Sequence, residues 1–350
     1  MKLLIYGDVH WSEMSSLINM RQHKFTTRLE LLIKSMNWVN QLAVEQQCEA
    51  TVCDGDFFHR STVTDEESTA LKEIYWADVT HYFLVGNHES GQKNLFFKTT
   101  DLLAGDNRFV ISEPFWNWTI DGTQIHFLPY IVDDIRKPLE DYLDKDVDEN
   151  GNDLKHVVIS HNDIAGIMYG GFESTLGFSV EEIEKNCDLF LNGHLHNSEW
   201  ISDKILNIGS LSAHNFTNDS YHYKYGAWIL DTDTLKLTFF ENPYSLSVYK
   251  IDILEAEDLN KLRQLKPNAM ISVRCTDGLL NDVNAIITEL KTSGNVLASK
   301  LSIIHENTES AELPIAELTG LDHLAKLTEF CQAKLGVSQV LAEELAEISK

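Results

Sequence analysis

Five short polar segments, each directly after an apolar run, constrain the fold of this 350-residue chain more than any other feature. The segments are Asp8-Val9-His10, Gly55-Asp56, Gly86-Asn87-His88-Glu89, His161 and Gly193-His194-Leu195-His196. The runs before them are Lys2–Tyr6, Ala50–Cys53, Tyr82–Val85, His156–Ser160 and Asp188–Leu191. Short apolar runs that end in turn residues read as buried strands. The polar segments then fall on loops just past strand ends, where open α/β sheets place their chemistry. In order they supply Asp8, His10, Asp56, Asn87, His161, His194 and His196, enough nitrogen and oxygen donors for two adjacent divalent cations.

The sequence between these segments predicts helices over Thr27–Ala43, Thr64–Trp76 and Lys93–Leu103. From Phe109 onward it turns to short strands, among them Thr123–Pro129, Ile205–Ile208, Gly226–Leu230 and Leu235–Phe240. The expected class is α/β, a two-sheet β-sandwich flanked by helices, over residues 1–240. After a break at Glu241-Asn242-Pro243-Tyr244-Ser245, a strand at Ala269–Arg274, a helix at Asn281–Lys291 and a strand at Lys300–His305 predict a small α/β domain over 246–310. Residues 315–350 read as a hairpin of two amphipathic helices, separated at Gly336. That hairpin either packs on the domain or docks a partner helix.

Composition narrows the function. With 28 Lys+Arg against 54 Asp+Glu, the net charge of −26 counts against a broad nucleic-acid-binding surface. A local one is still open, because two divalent cations outweigh the charges of Asp8 and Asp56. Arg21, Lys24 and Arg28 also form a basic stretch that either holds a phosphate backbone or is a solvated helix start. No apolar stretch approaches the ~20 residues of a membrane span. The first residues are too short an apolar run for a signal peptide. The five scattered cysteines lack a Cys-x-x-Cys pair, which fits a reduced cytoplasm. Asp144–Gly151 imitates a calcium loop, but the position that needs Glu holds Val157, so an acidic surface loop is expected.

Two cations about 3.5–4 Å apart hold both the attacking and leaving oxygens of an in-line phosphoryl displacement. Asp56 is the natural bridging carboxylate, Asp8 and His10 suit one cation, and Asn87 suits the other. Imidazole, carboxylate and amide donors together fit Mn²⁺, Fe²⁺ or Zn²⁺ better than Mg²⁺. His88, adjacent to Asn87, would face substrate and either stabilise the transition state or protonate a leaving alkoxide. Glu89 either orients His88 or starts a helix.

The ordered motifs D-x-H, GD, GNH[ED], H and GHxH resemble the calcineurin-like metallophosphoesterase superfamily over residues 1 to about 215. Gly55-Asp56-Phe57-Phe58-His59 is similar to the form found in the SbcD-type nuclease subunit of DNA double-strand-break processing complexes. That resemblance implies Mn²⁺-dependent 3′–5′ exonuclease activity on duplex ends and single-strand endonuclease activity, with His59 assisting the exonuclease chemistry. It also implies DNA capping by the small domain, an SbcC-type SMC-like ATPase bound through the C-terminal helices, and a homodimer within a heterotetramer. A compact phage-type member is the nearest kind. The dimer face would include Leu95, Phe96, Leu102 and Leu103; Lys93 and Lys98 either meet DNA phosphates or form the solvated face of that amphipathic helix. The flank Asn162-Asp163-Ile164 departs from the common family form.

Other readings stay open. His59 could cap a helix, and Phe57 and Phe58 could stack on a base or fill the core. Among the remaining histidines, His214 is the nearest to a functional one. The same metal shell could serve a cytosolic phosphatase or cyclic-nucleotide phosphodiesterase, or persist in a non-catalytic scaffold that bridges DNA ends.

Overall fold

The computed structural model describes residues 1–13, 21, 23–90, 98–120, 122–147, 151, 153–169, 172–214 and 220–304. The expected helix at Lys93–Leu103 lies partly outside them, with Lys93, Leu95 and Phe96. Its described part is a 3₁₀ turn, Thr99–Leu103. The helical hairpin of residues 315–350 lies wholly outside.

Two six-stranded sheets build the main body. The first runs Lys236–Glu241, Gly226–Asp231, Lys2–Tyr6, Ala50–Cys53, Thr80–Leu84 and Arg108–Ile111 in spatial order. Its last four strands are parallel. The second runs Glu199–Trp200, Ile205–Asn207, Leu189–Asn192, Lys155–Ser160, Thr123–Leu128 and Trp116–Ile120, with the middle four parallel.

Side chains alternate across each strand, and the sequence uses that period. Leu3 and Ile5 point between the sheets, where they meet Val52, Phe127, Val157 and Ile159 in an apolar core. Leu4 and Tyr6 point outward and pack under the helix Thr27–Glu45 through Leu29, Leu32 and Met36. The outer face of the second sheet is covered in the same way: Val158 and Phe190 meet Ile183 of the helix Val180–Asn186. This is the two-sheet sandwich flanked by helices that the sequence predicts.

The region beyond residue 246 forms a separate parallel sheet of Ser247–Ile253, Ala269–Cys275 and Val296–Ile303, with its own core around Ile251, Ile271, Val273 and Ile286. Ser247–Ile253 is a strand that the sequence reading missed. It pairs over its full length with Ala269–Cys275 and makes the unit βαβαβ, with helices Leu259–Arg263 and Leu280–Thr292 as crossovers. Cys48, Cys53, Cys187 and Cys275 are free and buried. No helix among the described residues is long and apolar enough to cross a membrane.

Candidate metal centre

Parallel strands carry their following loops to one edge, so the five ligand segments leave both sheets on the same side. The strand Lys2–Tyr6 delivers Asp8 and His10, Ala50–Cys53 delivers Asp56, and Thr80–Leu84 delivers Asn87 and His88. From the second sheet, Lys155–Ser160 delivers His161 and Leu189–Asn192 delivers His194 and His196. Asp8, His10, Asp56 and His161 are all at most 1% exposed.

The backbone pays for this convergence. Asp8, His10, Asp56 and His194 are non-glycine residues at φ of 45°, 47°, 47° and 72°. Such conformations cost on the order of 1–3 kcal/mol each and persist where surrounding structure enforces them. Glycines give the necessary room at two further points. Gly55 adopts φ 140°, and a Cβ there would lie 2.2 Å from His161 Nδ1. A Cβ on Gly86 would lie 2.1 Å from Asp56 Oδ1.

The donors divide into two overlapping groups. In the first, His10 Nε2 lies 3.0 Å from His196 Nε2, 3.7 Å from Asp8 Oδ1 and 3.9 Å from Asp56 Oδ2. In the second, His161 Nε2 lies 3.3 Å from both Asp56 Oδ2 and Asn87 Oδ1, and His194 Nδ1 is 3.0 Å from Asn87 Oδ1. Asp56 belongs to both groups, as a bridging carboxylate must. The ligand atoms of Asp8, His10 and Asp56, and those of Asp56, His161 and His194, lie within 4.8 Å of one another.

The donor set fits cations. Asp8 Oδ1 is buried with no hydrogen-bond partner among the described residues, and lone-pair atoms face one another across the centre. Electrostatics agree. Burial opposes charge on His161, yet the Asp56 carboxylate beside it pulls the imidazole up to about 10. Burial likewise opposes the charge on Asp56, but His161, His10 and His88 hold it well below the carboxylate range. A divalent cation held by these residues would supply the positive charge that the protonated imidazole otherwise provides.

The surrounding groups fix the ligands. Asp163 Oδ1 lies 3.2 Å from His194 Nε2, so the ring turns its Nδ1 toward Asn87. His214 Nε2 donates to the Asp8 carbonyl at 2.8 Å. Burial keeps that imidazole well below its ordinary pKa, hence neutral. Asp54, fully buried against Gly7 and Gly193, has both oxygens without a hydrogen-bond partner among the described residues, and burial raises its pKa strongly. Glu89 does not serve His88; its oxygens accept from the backbone N–H of Phe58 and Gly86 at 2.9 and 2.8 Å, which ties two ligand loops together.

His88 stands over the open side of the centre. Its Nδ1 donates to the His59 carbonyl at 2.8 Å, which aims Nε2 inward, 3.9 Å from Asp56 Oδ2. His59 is exposed, stacks on His88 at 5.4 Å between centroids, and places Nδ1 3.2 Å from His10 Nδ1. Although solvent reaches the residue, partial desolvation of the ring against the centre and the neighbouring His88 push its imidazole down to about 4. Beside His88 opens a cavity of about 410 Å³ with Ile164, Ile167 and Leu195 as apolar wall and Asp163 and Glu173 as acids. Phe57 and Phe58 are 0% exposed and fill the core.

The basic stretch scatters. Arg21 pairs with Glu66, and Lys24 Nζ lies 2.6 Å from Glu73 Oε1, both at the surface. Arg28 is 4% exposed, under the ligand loop, and does not share a surface with them. Asp54 and Asp163 escaped the sequence reading as site residues, because neither belongs to a motif; His214, which the sequence marks as the remaining histidine nearest to a functional one, stands against the Asp8 loop. Only the proximity of Asp54 and Asp163 to ligands in sequence could have signalled them.

A family model described as calcineurin-like phosphoesterase matches residues 1–198. No curated protein matches the chain. Among solved structures, a putative 5′-nucleotidase from Staphylococcus aureus in complex with alpha-ketoglutarate is 14% identical, with 69% of this chain and 52% of that one covered and a TM-score of 0.42. TT1561 of Thermus thermophilus is 13% identical, with 69% and 98% covered and a TM-score of 0.37. The chain spans about half the length of the first of these.

Proposed function

The chain belongs to the calcineurin-like phosphoesterase family, and from that premise we propose that it is a Mn²⁺-dependent DNA nuclease of the SbcD type. In this reading it removes nucleotides from duplex ends in the 3′–5′ direction and cuts single strands internally. The observation that carries it is the pair His59 and His88. The segment Gly55-Asp56-Phe57-Phe58-His59 brings a second imidazole against His88 on the open side of the centre, an addition that hydrolysis of small phosphoesters does not require.

Asp8, His10, Asp56 and His196 would hold one cation, and Asp56, Asn87, His161 and His194 the other. When bound, the pair supplies Lewis-acid stabilisation of a phosphoryl group and a nucleophile at neutral pH. The chain's own groups do the rest. Asn87 and His194 are oriented by their mutual contact, and His88 holds Nε2 where a leaving oxygen can take a proton. His59 fixes His88 through its carbonyl and offers its own ring to the substrate backbone.

No Walker loop occurs in the sequence, so ATP dependence would come from an SMC-like ATPase bound through residues 315–350. The small domain at 246–310 would cap DNA, and two copies would pair. A cytosolic phosphatase or cyclic-nucleotide phosphodiesterase is the competing reading, and the cavity beside His88 favours it, being large enough for one small ester. Release of label from 3′-labelled linear duplex in Mn²⁺ tests the nuclease. Intact DNA together with rapid turnover of a small phosphodiester would reject it.

A further inference from the structure

The loop that carries Asp8 and His10 is held from two sides. Its backbone N–H groups are taken by the neighbouring ligand loop: Asp8 donates to the Gly55 carbonyl at 3.1 Å and His10 to the Asp56 carbonyl at 3.0 Å. Its carbonyls point the other way. Arg28 Nη2, from the first turn of the helix Thr27–Glu45, donates to the His10 carbonyl at 3.0 Å. The same Nη2 lies 3.3 Å from His214 Nδ1, and His214 Nε2 donates to the Asp8 carbonyl.

The hydrogen-bond roles here are fixed by chemistry. A guanidinium only donates and a carbonyl only accepts, so a His214 ring that donates through Nε2 receives the arginine at Nδ1. Although the ligand atoms of His10, His196 and His214 lie within 4.8 Å of one another, both His214 nitrogens are committed to this bracket.

We infer that Arg28 and His214 are positioning residues that hold the Asp8–His10 loop in its left-handed conformation and thereby set cation affinity at the Asp8, His10, Asp56 and His196 site. This rests on the two-cation reading of the centre and not on the identity of the substrate. A buried guanidinium is costly, and nothing about the core requires one at this place. The two residues at positive φ are the reason for it: their carbonyls face into protein and need donors that the backbone does not provide.

Simple electrostatics gives the opposite sign. Arg28 is a positive charge near a cation site, so neutralising it should strengthen cation binding if charge alone mattered. If Arg28 braces the loop, neutralising it weakens binding.

The test is calorimetric titration of the metal-free full-length protein with Mn²⁺. Arg28→Met should weaken one of two Mn²⁺ sites about 10-fold or more, within the range seen when outer partners of metal ligands are lost, and leave the other within about twofold. In a His194→Ala background, which removes a ligand of the second site, the remaining Mn²⁺ should show the same loss when Arg28→Met is added. His214→Gln retains a donor near the Asp8 carbonyl and should lose less than His214→Phe, which retains none. Unchanged or tighter binding in folded Arg28→Met overturns the proposal, as does equal weakening of both sites. Should Arg28→Met not fold, the His214 pair decides: equal affinities for His214→Gln and His214→Phe overturn it.

Discussion

Asp163 Oδ1 lies 3.2 Å from His194 Nε2, on the opposite side of the ring from the Nδ1 that faces Asn87. This is the arrangement in which a carboxylate fixes the tautomer of a metal-binding imidazole and raises its basicity. Asp163→Asn should therefore lower Mn²⁺ affinity at the Asp56, Asn87, His161 and His194 site by about 10–100-fold, with the other site preserved. Two-site titration of the metal-free variant checks it; unchanged affinity at both sites would remove Asp163 from the centre.

The same contact predicts a pH dependence for the metal-free protein. The hydrogen bond from His194 holds the Asp163 carboxyl below its ordinary range. A carboxyl lowered on folding stabilises above its unfolded pKa, and that contribution is lost as pH falls through the folded value. The stability difference between wild type and Asp163→Asn, measured by urea denaturation, should be full at pH 6 and shrink as pH drops below about 4. A difference independent of pH would show that the contact carries no charge.

The His88 ring meets two proposed ligands, the His10 ring edge-on at 4.8 Å between centroids and Asp56 Oδ2 at 3.9 Å, and hydrogen-bonds to neither. His88→Ala should keep both Mn²⁺ ions and lose about 10²-fold or more in hydrolysis, the loss expected for a general acid. Near-wild-type hydrolysis would show that proton delivery comes from elsewhere.

Asp56 lies within reach of both donor groups, 3.9 Å from His10 Nε2 and 3.3 Å from His161 Nε2. Its Oδ1 also accepts from the His88 backbone N–H at 3.0 Å, so the residue orders the substrate side as well. Asp56→Ala should abolish binding of at least one Mn²⁺, read by metal analysis after gel filtration. Two ions retained per chain would exclude it as a bridge.

Much of this centre was legible because each motif residue is tied to a strand end. The run Lys2–Tyr6 and the segment Asp8-Val9-His10 together specify a strand, a turn and two candidate ligands with no information from elsewhere in the chain. The helix Thr27–Glu45 was legible from its apolar spacing, but the fate of Arg28 was not. In sequence Arg28 continues a basic stretch with Arg21 and Lys24. In the fold the N-terminal turn of the helix swings it beneath the ligand loop, toward a histidine 186 residues away. The roles of Asp163 and His214 were not legible for the same reason: a residue that supports a ligand is identified by its contact in space, although His214 stood out among the remaining histidines. Ser247–Ile253 was missed because its strand character is completed by pairing with Ala269–Cys275.

The most direct test of the account is a paired assay in Mn²⁺ of end-labelled linear duplex DNA and a small phosphodiester, with His88→Ala alongside. The account predicts that DNA is degraded from its 3′ ends by wild type, that the activity disappears with chelation, and that it falls about 10²-fold or more in His88→Ala. Intact DNA in the presence of strong phosphodiester turnover, with a candidate ATPase and ATP added, would contradict it.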